Sequence, residues 1–167
     1  DVAGHIGGSM NACALGILEA PKTWHVCEFK TSSNKLYQKL VKEGVEKAKP
    51  EHAAQMQCYM HWSGMTRAFY LAVNKDNDEL YSERLHYDPV TALRLIGKAA
   101  RIITATEPPE RISERPDWYQ CQWCDHRAIC HQAPNAPAIP AVSCRSCAHA
   151  TPELDGDARW RCARFGC

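Results

Sequence analysis

The chain has 167 residues, 45% of them hydrophobic, with a formal net charge of +1, enough to bury one core and a small appended module. So balanced a charge does not announce a nucleic-acid partner, although local basic faces fit within it. Ten cysteines would suit a secreted disulfide scaffold, but seven of them crowd the last 47 residues in metal-ligand spacings, which predicts a reducing compartment. No signal segment opens the chain and no run approaches the ~18–20 apolar residues that span a bilayer, so a soluble, intracellular protein without membrane contact is expected.

The chain starts at Asp1 without an initiator Met, directly in strand-like sequence, as if an earlier part of the fold preceded it. Residues 5–17 (HIGGSMNACALGI) and 23–30 (TWHVCEFK) read as two strands of a hairpin joined through LEAPKT. Ser32 and Ser33 offer caps for a helix over residues 34–49, with Leu36, Leu40, Val41 and Val45 near one stripe and Lys35, Lys39, Lys42 and Lys49 on a basic solvent side. Pro50 opens a second helix that ends at Gly64, and TRAFYLAVN follows as a buried strand. DND turns the chain into ELYSERLHY. Asp88 then caps a third helix with Pro89 in its first turn. The order β-β-α-α-β-β-α predicts an α/β core with a mixed sheet flanked by helices. Three segments are expected: a core over 1–131 that ends in a cysteine clasp (121–131), a Pro/Ala linker over 132–142, and a zinc-ribbon-like module over 143–167.

Side chains alternate along a strand, so Glu28 and Lys30 share one face. Hydrolysis of a phosphodiester needs a hard divalent cation held by carboxylates, an activated water, and positive charge where the transition state gathers negative charge. In that chemistry Glu28 ligates the metal, the Phe29 backbone carbonyl adds an oxygen, and Lys30 orients water or stabilises charge. Standing alone, E-x-K also describes a solvated strand face. Four residues apart on the second helix, Gln55 and Tyr59 share a face.

These residues resemble the PD-(D/E)XK nuclease superfamily, in particular its RecB-type and phage exonuclease-like branch, over most of residues 1–131. EFK matches the E-x-K of that family, Gln55 and Tyr59 match its Q-x-x-x-Y helix, and GSMNACALGILEAPKTWHVCEFKT is similar to phage-encoded members. The resemblance implies a restriction-endonuclease-like core and an Mg2+- or Mn2+-dependent deoxyribonuclease, an exonuclease of recombination or DNA processing. It places Gln55 and Tyr59 beside the scissile phosphate, with Lys35 and Lys39 on the DNA. It also implies the bacterial host cytoplasm and, as a further partner, a recombination or single-strand-annealing protein. The metal-binding Asp of the family falls on Asn11 in GSMN; a second register, GHIG, would put Gly7 there. An amide lacks the carboxylate charge that hard cations prefer, so little or no cleavage is expected. A natural pseudoenzyme and a chain altered to trap DNA would both carry asparagine there. Asp1 and His5 are weaker substitutes for the missing acid. Members of the family also often use an acid on an earlier helix, and none precedes Asp1. The alternative is a nuclease-derived module kept for DNA binding, protein binding or inhibition.

Cys121, Cys124 and Cys130 form C-x2-C-x5-C. In iron-sulfur RecB-like nucleases, which this segment resembles, such spacing supplies three of the four ligands of a [4Fe-4S] cluster, the fourth lying upstream. His126 or His131 would instead complete a Zn2+ site of three cysteines and one histidine; both alternatives stay open. Cys144, Cys147, Cys162 and Cys167 pair as C-x2-C and C-x4-C across a 14-residue excursion, the pattern of a four-cysteine Zn2+ ribbon. Arg145, Arg159, Arg161 and Arg164 suit phosphate contact or a solvated surface.

Overall fold

The computed structural model describes residues 2–132, 144, 147 and 149–166. The expected linker from residue 133 onward, with Arg145, Cys167 and Asp1, lies outside the described residues. Two compact units divide between Ala100 and Arg101: one of Val2 and Ile6–Ala100, the other of Ala3–His5 and the described residues from Arg101 onward, so the Cys121–Cys130 segment groups with the tail.

The first unit is a four-stranded mixed sheet flanked by helices, an α/β arrangement. Its strands are β1 (Ala12–Ala14), β2 (His25–Ser32), β3 (Arg67–Asn74) and β4 (Leu80–His86), side by side in that order. The β1–β2 and β3–β4 pairs are antiparallel, whereas β2 and β3 run parallel. A parallel pair needs a long crossover, and α1 (Asn34–Glu43), α2 (Val45–Ala48) and α3 (Pro50–Ser63) form it.

The expected first strand over residues 5–17 shrinks to Ala12–Ala14. Consecutive glycines at 7 and 8 offer no side chains to pack, and residues 6–10 run outside the ladder. The expected helix over 34–49 breaks at Gly44, whose φ of 75° is disfavoured for other residues. The new N-terminus is capped from a distance: Glu83 Oε2 accepts the Val45 N–H at 2.8 Å.

The stripe read on this helix also moves. Tyr37 and Leu40 are the buried positions of α1, while Leu36 and Val41 are 44% and 49% exposed. At 100° per residue, Leu36 and Val41 flank the Tyr37–Leu40 line on either side. Lys35, Lys39 and Lys42 are exposed as expected, but Lys49 is half-buried. Ser33 is the N-cap by position without a side-chain cap bond; Asp76 Oδ2 takes the Asn34 N–H instead, at 2.6 Å.

Helix α3 keeps its expected bounds, with Pro50 in its first turn and Gly64 left-handed at its end. Met56, Tyr59 and Met60 meet Val26, Ala68, Tyr70, Ala72 and Leu85 of the sheet, with Leu40 and Val45 completing the core. The buried Gln57 fixes α3 to the end of β4, donating to the His86 carbonyl at 2.8 Å and accepting the Asp88 N–H at 2.9 Å. Strand β3 alternates rather than being buried throughout, with Ala68, Tyr70, Ala72 and Asn74 inward. Asp88 caps α4 (Pro89–Thr104) by accepting the Val90 N–H at 3.0 Å.

The second unit holds a short helix α5 (Arg127–Cys130) and the ribbon of β5 (Ala150–Pro152) and β6 (Trp160–Cys162), with Ala150 opposite Cys162. No helix among the described residues is long and apolar enough to cross a membrane.

Candidate functional site

The ladder decides which residues share a row. Ala12 pairs with Cys27, so one step along the antiparallel register Asn11 falls opposite Glu28. Glu28 pairs with Tyr70 of β3, and Tyr70 with Glu83 of β4. Opposite residues share a face, so Asn11, Glu28, Tyr70 and Glu83 lie in one row. Asn11 of GSMN thus faces Glu28, while Gly7 of GHIG lies outside the ladder.

Glu28 is fully buried, at 0% exposure. Neither carboxyl oxygen has a hydrogen-bond partner among the described residues. The Lys30 ammonium stands 2.5 Å from Oε1, with 31% of its side chain exposed. This is close charge contact outside hydrogen-bond geometry, so the acid is neutralised on one side and left open elsewhere. Buried polar groups in folded proteins nearly always find partners, and an orphan needs a reason.

Asn11 is exposed, and its Oδ1 accepts the Phe29 N–H at 2.9 Å, tying the entrance of β1 to β2. One lone pair of that oxygen remains. Gln55 and Tyr59 meet as their spacing predicts: Gln55 Nε2 donates to the Tyr59 hydroxyl at 3.0 Å, and that hydroxyl donates to the Ser9 carbonyl at 3.0 Å.

Two residues escaped the sequence reading. His52 lies on the α3 face that carries Gln55 and Tyr59, three and seven positions earlier, and its Nδ1 is 3.0 Å from the Tyr70 hydroxyl. Burial lowers the His52 pKa below its ordinary 6.5; Lys30 and Lys49 push the same way, while Glu51 and Glu28 oppose. Tyr70 is pushed up to about 12, first by burial and then by Glu28, Glu51 and Glu83. A neutral imidazole beside a neutral phenol follows at pH 7. The helical spacing from Gln55 was the available signal for His52; Tyr70 had none, because its link to Glu28 is a matter of register.

His5 does not join this site. It belongs to the second unit, where its Nε2 is 2.9 Å from the Glu153 carbonyl and its ring stands edge-on to Trp160. Among the described residues no three His, Cys, Asp or Glu side chains gather closely enough to hold a metal ion, at Cys121, Cys124, Cys130, His126 and His131 or elsewhere. Cys121 is buried, while Cys124 and Cys130 are exposed. Cys147 Sγ accepts the His149 N–H at 3.4 Å. Of the tail arginines expected on phosphate, Arg159 pairs with Glu153 and Asp155, Arg161 with Glu153, and Arg164 packs over Phe165.

No protein-family model matches the chain, and no curated protein matches it. A solved structure titled "Crystal structure of SSO0001" is similar over 73% of this chain and 49% of its own, at 18% identity and a TM-score of 0.42. This chain therefore spans about half the length of that protein.

Proposed function

We propose that the chain is a PD-(D/E)XK-type DNA nuclease of the phage exonuclease-like branch, with its catalytic cation site weakened by Asn11. The observation that carries this reading is Glu28, fully buried with both oxygens free of hydrogen bonds, beside Lys30 and opposite Asn11. Burying a carboxyl group with no aligned hydrogen bond and one partly exposed ammonium as its counter-charge costs free energy, and a function that needs those oxygens gives the cost a purpose.

The residues fit a hard cation in part. Glu28 offers an unbonded carboxyl group, the Phe29 carbonyl an oxygen, and Asn11 a neutral oxygen already shared with the Phe29 N–H. Mg2+ or Mn2+ bound there would supply Lewis-acid polarisation of a phosphate oxygen. Lys30, a third of its side chain in solvent, can hold a water or neutralise a phosphate. Asn11 neither carries charge nor takes a proton, so it does not replace an acid. His52, Lys49 and Lys30 offer a mixed, partly cationic rim for a DNA strand, and the exposed Lys35 and Lys39 of α1 are assigned as further phosphate contacts. The substrate is DNA, in the host cytoplasm, with a recombination or single-strand-annealing protein as the natural partner.

In the tail we assign Zn2+ to Cys144, Cys147, Cys162 and Cys167. The His149 N–H on Cys147 Sγ and the Ala150–Cys162 register support this. Cys121, Cys124 and Cys130 would clasp Zn2+ or a [4Fe-4S] cluster, and metal analysis with the absorbance spectrum separates the two.

A second reading, a module kept for binding, is favoured by the structural use of Asn11 as an acceptor for Phe29. Cleavage of end-labelled single- and double-stranded DNA with Mg2+ and Mn2+ decides between them. The chain, Asn11→Asp, and Asn11→Asp with Lys30→Ala are compared. Cleavage gained with aspartate and lost with alanine is expected; DNA binding without cleavage in all three refutes the nuclease reading and leaves the binding module.

A further inference from the structure

The family resemblance sets Gln55 and Tyr59 against DNA, yet the Tyr59 side chain faces inward. Tyr59 is 7% exposed. Its hydroxyl has one proton to give, and that proton goes to the Ser9 carbonyl, 3.0 Å away. Gln55 Nε2 donates to the Tyr59 hydroxyl oxygen, also at 3.0 Å, which fixes the direction of the phenol proton. The segment so held has no ladder hydrogen bonds and contains Gly7 and Gly8. A Cβ added at Gly8 would stand 2.5 Å from the Tyr59 hydroxyl and 3.0 Å from the ring. The phenol therefore lies flush on the glycine backbone, an approach that a side chain at position 8 would block. Two residues past Ser9, Asn11 enters the sheet and accepts the Phe29 N–H.

We propose that Tyr59, steadied by Gln55, is a positioning residue: it clamps the Gly8–Ser9 backbone so that residue 11 arrives opposite Glu28. A strand of three residues cannot by itself hold the chain that leads into it, because ordering each flexible residue opposes folding entropically. The clamp supplies that order from the helix that also carries His52. Its catalytic importance rests on the nuclease reading; its geometry does not.

Amide hydrogen exchange of the full chain, followed residue by residue by NMR, tests it without metal or DNA. The Phe29 N–H reports whether residue 11 is in place, and the Tyr70 and Ala72 amides in β3 report the stability of the core. Asn11→Ala sets the scale for an unprotected Phe29 amide. Tyr59→Phe is expected to accelerate Phe29 exchange roughly fivefold or more and to leave Tyr70 and Ala72 unchanged. Gln55→Leu acts in the same direction to a smaller extent. An unchanged Phe29 rate in Tyr59→Phe overturns the proposal, as does equal acceleration of Phe29, Tyr70 and Ala72, which would make Tyr59 only a core residue. An unchanged Phe29 rate in Asn11→Ala overturns it too, since residue 11 would not be held at Phe29. Failure of the nuclease reading looks different: Asn11→Asp stays inert on DNA while Phe29 still responds to Tyr59→Phe.

Discussion

Replacing Glu28 with methionine should stabilise the protein. The buried carboxyl group forfeits several kcal/mol of hydration. Its attraction to Lys30, whose ammonium stands 2.5 Å from Oε1, is of the order of 4–7 kcal/mol for unit charges at an effective dielectric of 20. Lys30 keeps 31% of its side chain exposed, so water screens part of that attraction and can solvate the ammonium once the partner is gone. The two terms nearly cancel. What remains is the gain from apolar groups in a site at 0% exposure beside Tyr70, about 0.8 kcal/mol for each methylene-sized group. Glu28→Met is thus expected to add about 1–2 kcal/mol, and each kcal/mol raises the melting temperature of a domain the size of the first unit by roughly 4–8 °C. Calorimetry and urea titration at pH 7 read the difference. Repeating the scans in Mn2+ adds a second arm: a cation tenfold above its dissociation constant stabilises the wild type by about 1.4 kcal/mol and leaves Glu28→Met where it was. A loss of 1 kcal/mol or more in Glu28→Met would refute the reasoning, because Glu28 and Lys30 would then be a structural ion pair.

Three further outcomes follow from the same geometry. Lys30→Met removes the ammonium that competes with a cation for Glu28 Oε1, so Mn2+ affinity read by electron paramagnetic resonance should rise about tenfold, or 1.4 kcal/mol; weaker binding contradicts this. Because burial lowers the His52 pKa below 6.5, the unfolded chain takes up its proton first as pH falls. The His52 contribution is complete above about pH 6.5 and is lost as pH drops from there toward the folded value. Urea midpoints should therefore fall less in His52→Gln than in the wild type between about pH 7.5 and 5, and parallel curves would exclude His52 as the source. Glu83→Ala strips the acceptor from the fully buried Val45 N–H, at 2.8 Å, and from the Tyr81 hydroxyl, at 2.6 Å. A loss of about 2–3 kcal/mol is expected, and an unchanged urea midpoint would show that the cap at Gly44 forms without it.

What the sequence alone determined was local. Alternation put Glu28 and Lys30 on one strand face, four-residue spacing joined Gln55 to Tyr59, and Pro50, Gly64 and Asp88 marked helix ends that the structure keeps. Each depends on residues within a turn or two of chain, where the period of the backbone fixes the geometry. The first strand and the long basic helix failed for the complementary reason. Gly8 and Gly44 carry out roles set by distant groups, the Tyr59 hydroxyl and the Glu83 carboxylate, and nothing within either segment reports them. Tertiary structure alone decided that Asn11 faces Glu28, that His52 reaches Tyr70, and that Asp76 and Glu83 cap helices far from them in sequence. Those contacts depend on strand register and on the crossover that sets β2 parallel to β3, and register is a relation between segments that neither segment encodes by itself.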